Sequence, residues 1–288
     1  MRTLAIALLF ALATPVSAQA PKGPKLPDGT RAERNLEYGP HERNKLDVIV
    51  PKGDGPFPLV IWVHGGGWEG GSKESNPVVA VLLDKGYAIA GVNYRLSKHA
   101  VFPAQIHDCK AAVRYLRANA AKYNLDPDRI GVWGASAGGH LVALLGTSCE
   151  VSELEGEVGI KTGTSRVQAV CDWFGPTDLL KLSPPQAKEN AVTRLLGGAP
   201  AAKKALAMSA DPITHITRDD PPFLIIHGTN DRLVPLSQSE LLHAALKKAN
   251  VETELVVLDG AGHGGKEFAT EANRAKIVAF FDKHLKKK

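Results

Sequence analysis

Short apolar runs alternate with longer segments of helical periodicity along most of the chain. Seven runs rich in valine, isoleucine and leucine lack strict alternation, which predicts strands buried on both faces. They are residues 46–50, 59–63, 88–92, 130–133, 167–173, 223–227 and 252–258. Helical patterns cover residues 104–121, 137–145, 238–249 and 273–287. This order predicts an α/β fold in which helices cover both faces of a mostly parallel central sheet.

Two segments interrupt this alternation. Residues 150–165 are polar and contain glycine, which predicts an excursion from the fold. Residues 179–216 carry two short helical patterns between two predicted strands, and they are longer than a plain crossover needs. We expect this second segment to form a small cap.

The first 29 residues differ from the rest of the chain. Arg2, an apolar run over residues 4–12 and small residues up to Ala20 form the pattern of a secretory signal peptide over residues 1–20. The run is far shorter than the ~20 residues of a membrane span, so no membrane partner is expected. Residues 21–29 are rich in Pro, Gly and Lys and predict a flexible linker. Residues 30–288 are expected to form a single α/β domain in a secreted or periplasmic protein.

Composition and charge narrow the function classes. The 288 residues are 44% hydrophobic and 23% charged, as in a globular protein. The net charge of +5 is dispersed and accompanies no nucleic-acid-binding motif, so no nucleic-acid partner is expected. Cys109, Cys149 and Cys171 show no metal-ligand spacing. A disulfide between Cys149 and Cys171 is compatible with export, but three buried thiols are the favoured prediction.

The strongest motif is Gly134-Ala135-Ser136-Ala137-Gly138, between a predicted strand and a predicted helix. A strand–turn–helix context of this kind is typical of a nucleophile elbow, which presents Ser136 at the carboxyl edge of the sheet. The loop that starts at His64 and continues Gly65-Gly66-Gly67-Trp68 follows another strand. Backbone N–H groups of Gly66, Gly67 and Ala137 are candidates for an oxyanion hole.

Asp231 and His263 complete the candidate catalytic set. Each follows a late predicted strand, and the order Ser136, Asp231, His263 is that of α/β-hydrolases. Asp259 is a weaker candidate for the acid because it belongs to the same turn as His263. His64 and His140 are interpreted as structural residues. Trp68, Trp173 and Phe174 follow strand ends and are candidates for the walls of a substrate pocket, with core packing as the alternative.

Seven motifs in this order resemble esterases of the α/β-hydrolase superfamily on the hormone-sensitive-lipase-like side. The most similar branch is that of the bifunctional feruloyl and acetyl xylan esterases. The motifs are HGGGW at 64–68, VNYRLS at 92–97, FPAQIHD at 102–108, GASAGGH at 134–140, FGPTDL at 174–179, HGTNDRLVP at 227–235 and GAGH at 260–263. The resemblance implies Ser136 as nucleophile, Asp231 as acid and His263 as base.

The resemblance also implies a function. A serine esterase of this branch would cleave acetyl or feruloyl esters on carbohydrate through an acyl-enzyme, without a metal or organic cofactor. Its partner would be a small-molecule or carbohydrate ester. Alternatives on the same fold are a general short-chain carboxylesterase or lipase-like hydrolase, a formamidase, a serine peptidase and a non-catalytic binding protein.

Overall fold

An eight-stranded sheet forms the centre of the protein. The computed structural model describes residues 26–183 and 187–286. The strands are β1 (Arg31–Glu37), β2 (Lys45–Val50), β3 (Phe57–Val63), β4 (Ala88–Val92), β5 (Leu125–Ala135), β6 (Ala169–Trp173), β7 (Phe223–Gly228) and β8 (Thr253–Leu258). Their order is β1-β2-β4-β3-β5-β6-β7-β8. Strand β2 is antiparallel to both of its neighbours and all other pairs are parallel, which confirms the predicted α/β fold.

Helices follow most of the strands and cover both faces of the sheet. The α-helices are α1 (Val79–Leu82), α2 (Ala104–Ala118), α3 (Ala120–Tyr123), α4 (Ala137–Thr147), α5 (Leu179–Leu182), α6 (Ala191–Leu196), α7 (Lys204–Ala210), α8 (Ser237–Lys248) and α9 (Glu271–Leu285). Short 3₁₀ helices cover Leu83–Lys85, Ser152–Leu154, Pro212–Thr214 and Lys266–Ala269. The four long helices lie where the periodicity predicts them, except that the first is interrupted at Asn119, between α2 and α3.

Strand β1 has no counterpart among the predicted strands. Its sequence, RAERNLE, contains little apolar surface, and six of its seven residues are exposed. The strand lies at the edge of the sheet and pairs with β2 through backbone hydrogen bonds. Because side-chain burial contributes little to this strand, hydrophobic periodicity could not reveal it.

Two hydrophobic cores lie on opposite faces of the sheet. Successive side chains of a strand point to opposite faces. In β3, Leu59 and Ile61 therefore face a core shared with α2, α4 and α8, whereas Val60 and Trp62 face a core shared with α1 and α9. Burial on both faces explains why the central strands read as continuous apolar runs.

The polar excursion after α4 is tied to α2 by buried charges. Lys110 is fully buried, and its Nζ lies 2.8 Å from Glu155 Oε1. Arg114 Nη1 lies 2.7 Å from Oε2 of the same carboxylate. Ser165 donates a further hydrogen bond of 2.7 Å to Glu155. Glu155 thus pairs with two buried cations and anchors the predicted excursion.

The predicted cap lies between β6 and β7 and contains α5, α6 and α7. Asn190 begins α6 by accepting a hydrogen bond from the backbone N–H of Thr193, and the Thr193 hydroxyl accepts one from the backbone N–H of Asn190. This capping box satisfies two donors that the helix itself cannot. Phe102, just before α2, donates a backbone hydrogen bond to the carbonyl of Leu195 and so links the cap to the main body.

The structure tests the prediction made for the three cysteines. All three cysteines are free thiols, so Cys149 and Cys171 form no disulfide. Cys109 and Cys171 are buried as predicted, whereas Cys149 is partly exposed.

The predicted signal peptide and linker residues 21–25 lie outside the described residues, and Leu26 packs against the α1–α9 core. Within the described ranges, no helix is both long and apolar enough to cross a membrane.

Candidate active site

Ser136 lies in a sharp turn between β5 and α4. Its φ of 56° and ψ of −122° belong to a region that side-chain-bearing residues rarely occupy. The strain is accommodated by Gly138, where an added Cβ would overlap the backbone carbonyl of Val63 in the neighbouring strand. A bond from the Ser136 backbone N–H to the Trp173 carbonyl, 2.9 Å long, fixes the turn against β6. The turn therefore has the geometry expected of a nucleophile elbow.

The structure brings Ser136, His263 and Asp231 together. The Ser136 hydroxyl lies 2.8 Å from His263 Nε2, and His263 Nδ1 lies 2.6 Å from Asp231 Oδ2. Since a carboxylate only accepts hydrogen bonds, Nδ1 carries the proton and Nε2 accepts from the Ser136 hydroxyl. Asp259, the other candidate acid, instead lies 3.3 Å from the Thr229 hydroxyl.

Backbone donors hold the Asp231 side chain in place. Its Oδ1 accepts hydrogen bonds of 2.9 Å from the backbone N–H groups of both Leu233 and Val234. Asp231 Oδ2 is thereby directed at the His263 ring. The ring also packs on Phe174, with 4.6 Å between the ring centres.

The glycine loop after β3 lies beside Ser136. Gly66 and Gly67 have φ values of 105° and 61°, which favour glycine, and both line the same cavity as Ser136. The Gly66 carbonyl accepts hydrogen bonds from the backbone N–H groups of Glu69 and Gly70, which close the loop into a turn. Ala137 is the first residue of α4, so its N–H has no partner within the helix. The three predicted oxyanion donors therefore surround one cavity.

His64 and His140 are structural, as interpreted from the sequence. His64 stacks on Tyr94 with 4.4 Å between ring centres, and burial lowers its pKa to about 4. His140 accepts a hydrogen bond from the Trp68 indole N–H and bonds the Ala210 carbonyl at 2.7 Å through Nε2. Burial also lowers the pKa of His140 to about 4. His64 Nδ1 lies 2.7 Å from the Gly65 carbonyl and Nε2 lies 3.0 Å from Arg43 Nη2. Both rings are therefore neutral at physiological pH, and their nitrogens have partners.

A cavity of about 550 Å³ opens in front of Ser136. Trp68 and Phe174 line it as predicted, but Trp173 does not. Trp173 lies two positions after Cys171 in β6, so its side chain is on the same face as that buried thiol. Its ring contacts Trp133 and Phe268 in the α1–α9 core, which corrects the prediction of Trp173 as a pocket wall.

The cap supplies a wall of the cavity that the sequence did not reveal. Leu182, Ser183, Asn190, Ala191 and Val192 line it from this side. They lie at the end of α5 and at the start of α6 and carry no motif, so only the fold shows that they approach Ser136. In the described part of the chain, no cluster of three His, Cys, Asp or Glu side chains could hold a metal ion.

A buried carboxyl group lies directly behind the elbow. Asp172 of β6 is fully buried and pairs in register with Gly134. Its Oδ1 accepts a hydrogen bond from the Gly175 N–H, and Oδ2 has no partner among the described residues. Burial raises the pKa of Asp172 to about 7. The carboxyl group is thus largely protonated below neutral pH.

Replacement of Asp172 by asparagine is expected to stabilise the protein at pH 8 and leave it unchanged near pH 4. The pKa of an unfolded aspartate is about 3.9. The native state therefore binds the extra proton between pH 4 and 7, and wild-type stability falls as pH rises through this window. The gain at pH 8 should be about 2 to 4 kcal/mol in the free energy of urea unfolding.

Asp47 offers a matched control, because its pKa is shifted in the opposite direction to that of Asp172. Burial opposes its ionisation, but hydrogen bonds from Lys73, the Asn35 backbone and Arg34 outweigh burial and lower its pKa. Asp47→Asn should therefore destabilise the protein at pH 8. Equal or lower stability of Asp172→Asn relative to wild type at pH 8 would contradict the assignment of a protonated carboxyl.

Comparisons with known proteins identify the family of this chain. The BD-FAE family model matches residues 46–246. Esterase LipC of Mycobacterium tuberculosis is 32% identical over 80% of this chain, and the match spans 59% of the length of that relative.

Solved structures give the same relationship. A truncated carbohydrate esterase from gut microbiota superposes with a TM-score of 0.86 at 33% identity, over 92% of this chain and 100% of that one. An acetyl ester-xyloside bifunctional hydrolase from Caldicellulosiruptor lactoaceticus gives 0.72 at 28% identity, over 83% and 88%. The chain therefore belongs to the BD-FAE family, a branch of the α/β-hydrolase esterases.

Proposed function

We propose that this protein is a secreted serine esterase that cleaves acetyl or feruloyl esters on carbohydrate through an acyl-enzyme. The observation that carries the proposal is the continuous path of hydrogen bonds from Ser136 through His263 to Asp231. A serine hydroxyl is a weak nucleophile until a neighbouring base removes its proton. The predicted signal peptide supports the secreted location.

Each group has one task in the proposed reaction. His263 Nε2 takes the proton as Ser136 Oγ forms a bond to the ester carbonyl carbon. The N–H groups of Gly66, Gly67 and Ala137 stabilise the resulting oxyanion, and one such donor is typically worth about 3 kcal/mol in the transition state. The proton then passes from Nε2 to the leaving alkoxide, and the alcohol departs. Water then attacks the acyl-enzyme through the same two proton transfers, which releases the acid and restores Ser136.

Two kinds of observation support a carbohydrate ester. Solved relatives are named as a carbohydrate esterase and an acetyl ester-xyloside hydrolase. The cavity wall also carries a polar pair among apolar groups, since Asn190 Nδ2 donates a 2.8 Å hydrogen bond to Ser183 Oγ. Ser183 is 3% exposed, and its own hydroxyl proton has no acceptor among the described residues. This donor suits an oxygen atom of the substrate.

The reaction is tested by hydrolysis of a substrate panel. We expect cleavage of acetylated xylan and methyl ferulate, with release of acetate and ferulate. N-formylkynurenine and peptide anilides would report the formamidase and peptidase alternatives. Faster turnover of an anilide than of every ester would overturn the proposal, and activity limited to simple aryl esters would favour the general carboxylesterase.

Ser183→Ala is expected to raise KM for an acetylated xylo-oligosaccharide about fivefold, the equivalent of one lost hydrogen bond of ~1 kcal/mol. KM for 4-nitrophenyl acetate should stay unchanged because this small ester has no sugar oxygen to bind. Ser152→Ala, at an exposed serine of the excursion, is the control. Equal effects of Ser183→Ala on both substrates would exclude a role of Ser183 in recognising the sugar.

A further inference from the structure

A second histidine lies beside the carboxylate of Asp231. His227 belongs to β7, four residues before Asp231, and its side chain is fully buried. Its Nε2 lies 2.8 Å from the Val234 carbonyl and 3.3 Å from Asp231 Oδ2. Its Nδ1 lies 2.7 Å from the Ser239 hydroxyl, on α8. Both ring nitrogens of His227 therefore have defined partners.

These partners determine the tautomer of His227. A carbonyl oxygen can only accept, so Nε2 carries the proton and donates it to the Val234 carbonyl, with Asp231 Oδ2 3.3 Å from the same nitrogen. Nδ1 then accepts the hydroxyl proton of Ser239. Burial lowers the pKa of His227, which keeps the ring neutral. His227 is thus a fixed, uncharged donor next to the proposed catalytic acid.

Two histidines lie beside Asp231 Oδ2. The Oδ1 atom is already occupied by the N–H groups of Leu233 and Val234. Oδ2 accepts the 2.6 Å hydrogen bond from His263, and the protonated Nε2 of His227 lies 3.3 Å from the same oxygen. The positive end of an N–H group close to a carboxylate oxygen stabilises its negative charge, and this weakens the attraction of that oxygen for another cation. The bond between Asp231 and His263 therefore depends on His227.

We propose that His227, oriented by Ser239, is a positioning residue that sets how strongly Asp231 stabilises the His263 imidazolium during ester cleavage. This inference rests on the proposed function. The ionisable groups that face the His227 ring are Asp231 and His263, from the loops after β7 and β8. The loop after β6 contributes the uncharged Phe174 ring, 6.3 Å away between centres, and α8 contributes Ser239.

Leucine and glutamine at position 227 distinguish this role from simple packing. His227→Leu replaces the ring by an apolar side chain and so removes its N–H group. Asp231 Oδ2 would then bind the His263 imidazolium more strongly. In the pH profile of kcat/KM, the midpoint of the acidic limb should move to higher pH by roughly 0.5 to 1 pH unit. His227→Gln can place an amide N–H near the Nε2 position, and its limb should stay close to that of wild type.

The control is His243→Gln in α8, where Nδ1 lies 3.2 Å from the Thr253 hydroxyl. It should not move the limb. If His227→Leu and His227→Gln lose thermal stability but both keep the wild-type limb, His227 only packs and the inference fails.

A second variant covers the case in which His227→Leu does not fold. Ser239→Ala removes only the hydroxyl that orients the ring, and it should move the limb in the same direction by less than 0.5. An unchanged limb in Ser239→Ala would then overturn the inference. Absence of ester hydrolysis by the wild type would overturn the proposed function instead, so the two failures are distinguishable.

Discussion

Replacement of Ser136 by alanine is expected to lower kcat for 4-nitrophenyl acetate by about 10⁶-fold. The hydroxyl oxygen forms the bond to the substrate carbon, and no other group can replace it. KM should change little because the cavity and the backbone donors remain. The variant should fold, since the strained turn depends on Gly138 and backbone hydrogen bonds rather than on the hydroxyl.

Ser152→Ala provides the control for this loss, because Ser152 is exposed and its hydroxyl donates a hydrogen bond to the Glu153 carboxylate. It should keep wild-type kcat. Rates of Ser136→Ala within tenfold of wild type, with contaminating hydrolases excluded, would mean that the chemistry does not proceed through this serine.

Asp231→Asn is expected to lower kcat by about 10⁴-fold while leaving the fold intact. The backbone N–H groups of Leu233 and Val234 would hold the amide oxygen at the position of Oδ1. The amide nitrogen would then take the place of Oδ2 and donate to His263 Nδ1. This arrangement forces the proton onto Nε2, which could no longer accept the Ser136 proton.

Asp259→Asn is the matched control for the acid, because Asp259 follows the neighbouring strand but contacts Thr229 rather than His263. Its kcat should stay within about twofold of wild type, as for a surface substitution away from the site. A loss in Asp259→Asn as large as that in Asp231→Asn would show that the acid has been assigned to the wrong loop.

The sequence revealed the parts of the protein that depend on strong local signals. The central strands are apolar because both faces are buried, and the turn around Ser136 requires glycines at fixed positions. Chain order favoured Asp231 over Asp259 as the acid. The structure agrees, because Asp231 bonds His263 whereas Asp259 accepts from Thr229. These features follow from burial and turn chemistry, which act over a few residues.

Features that depend on distant contacts could not be predicted. Strand β1 is held by backbone pairing at the sheet edge, so its side chains carry no pattern. Trp173 is the last residue of β6 and Phe174 follows it; both contact the α1–α9 core, yet only Phe174 also lines the cavity. The place of Ser183 beside the cavity depends on how the cap folds back over Ser136. In the sequence, the role of His227 is indicated only by its position four residues before Asp231. This spacing predicts that the two residues are close but not how their side chains are oriented.

Covalent labelling tests the central claim most directly. A fluorophosphonate reacts with a serine hydroxyl only when a base has activated it, and intact-mass measurement followed by peptide mapping identifies the site. We expect one phosphonyl adduct per protein, on Ser136, and none in Ser136→Ala or in the wild type unfolded in urea. Absence of an adduct on the native protein, or an adduct on another serine, would contradict activation of Ser136 by His263 and Asp231.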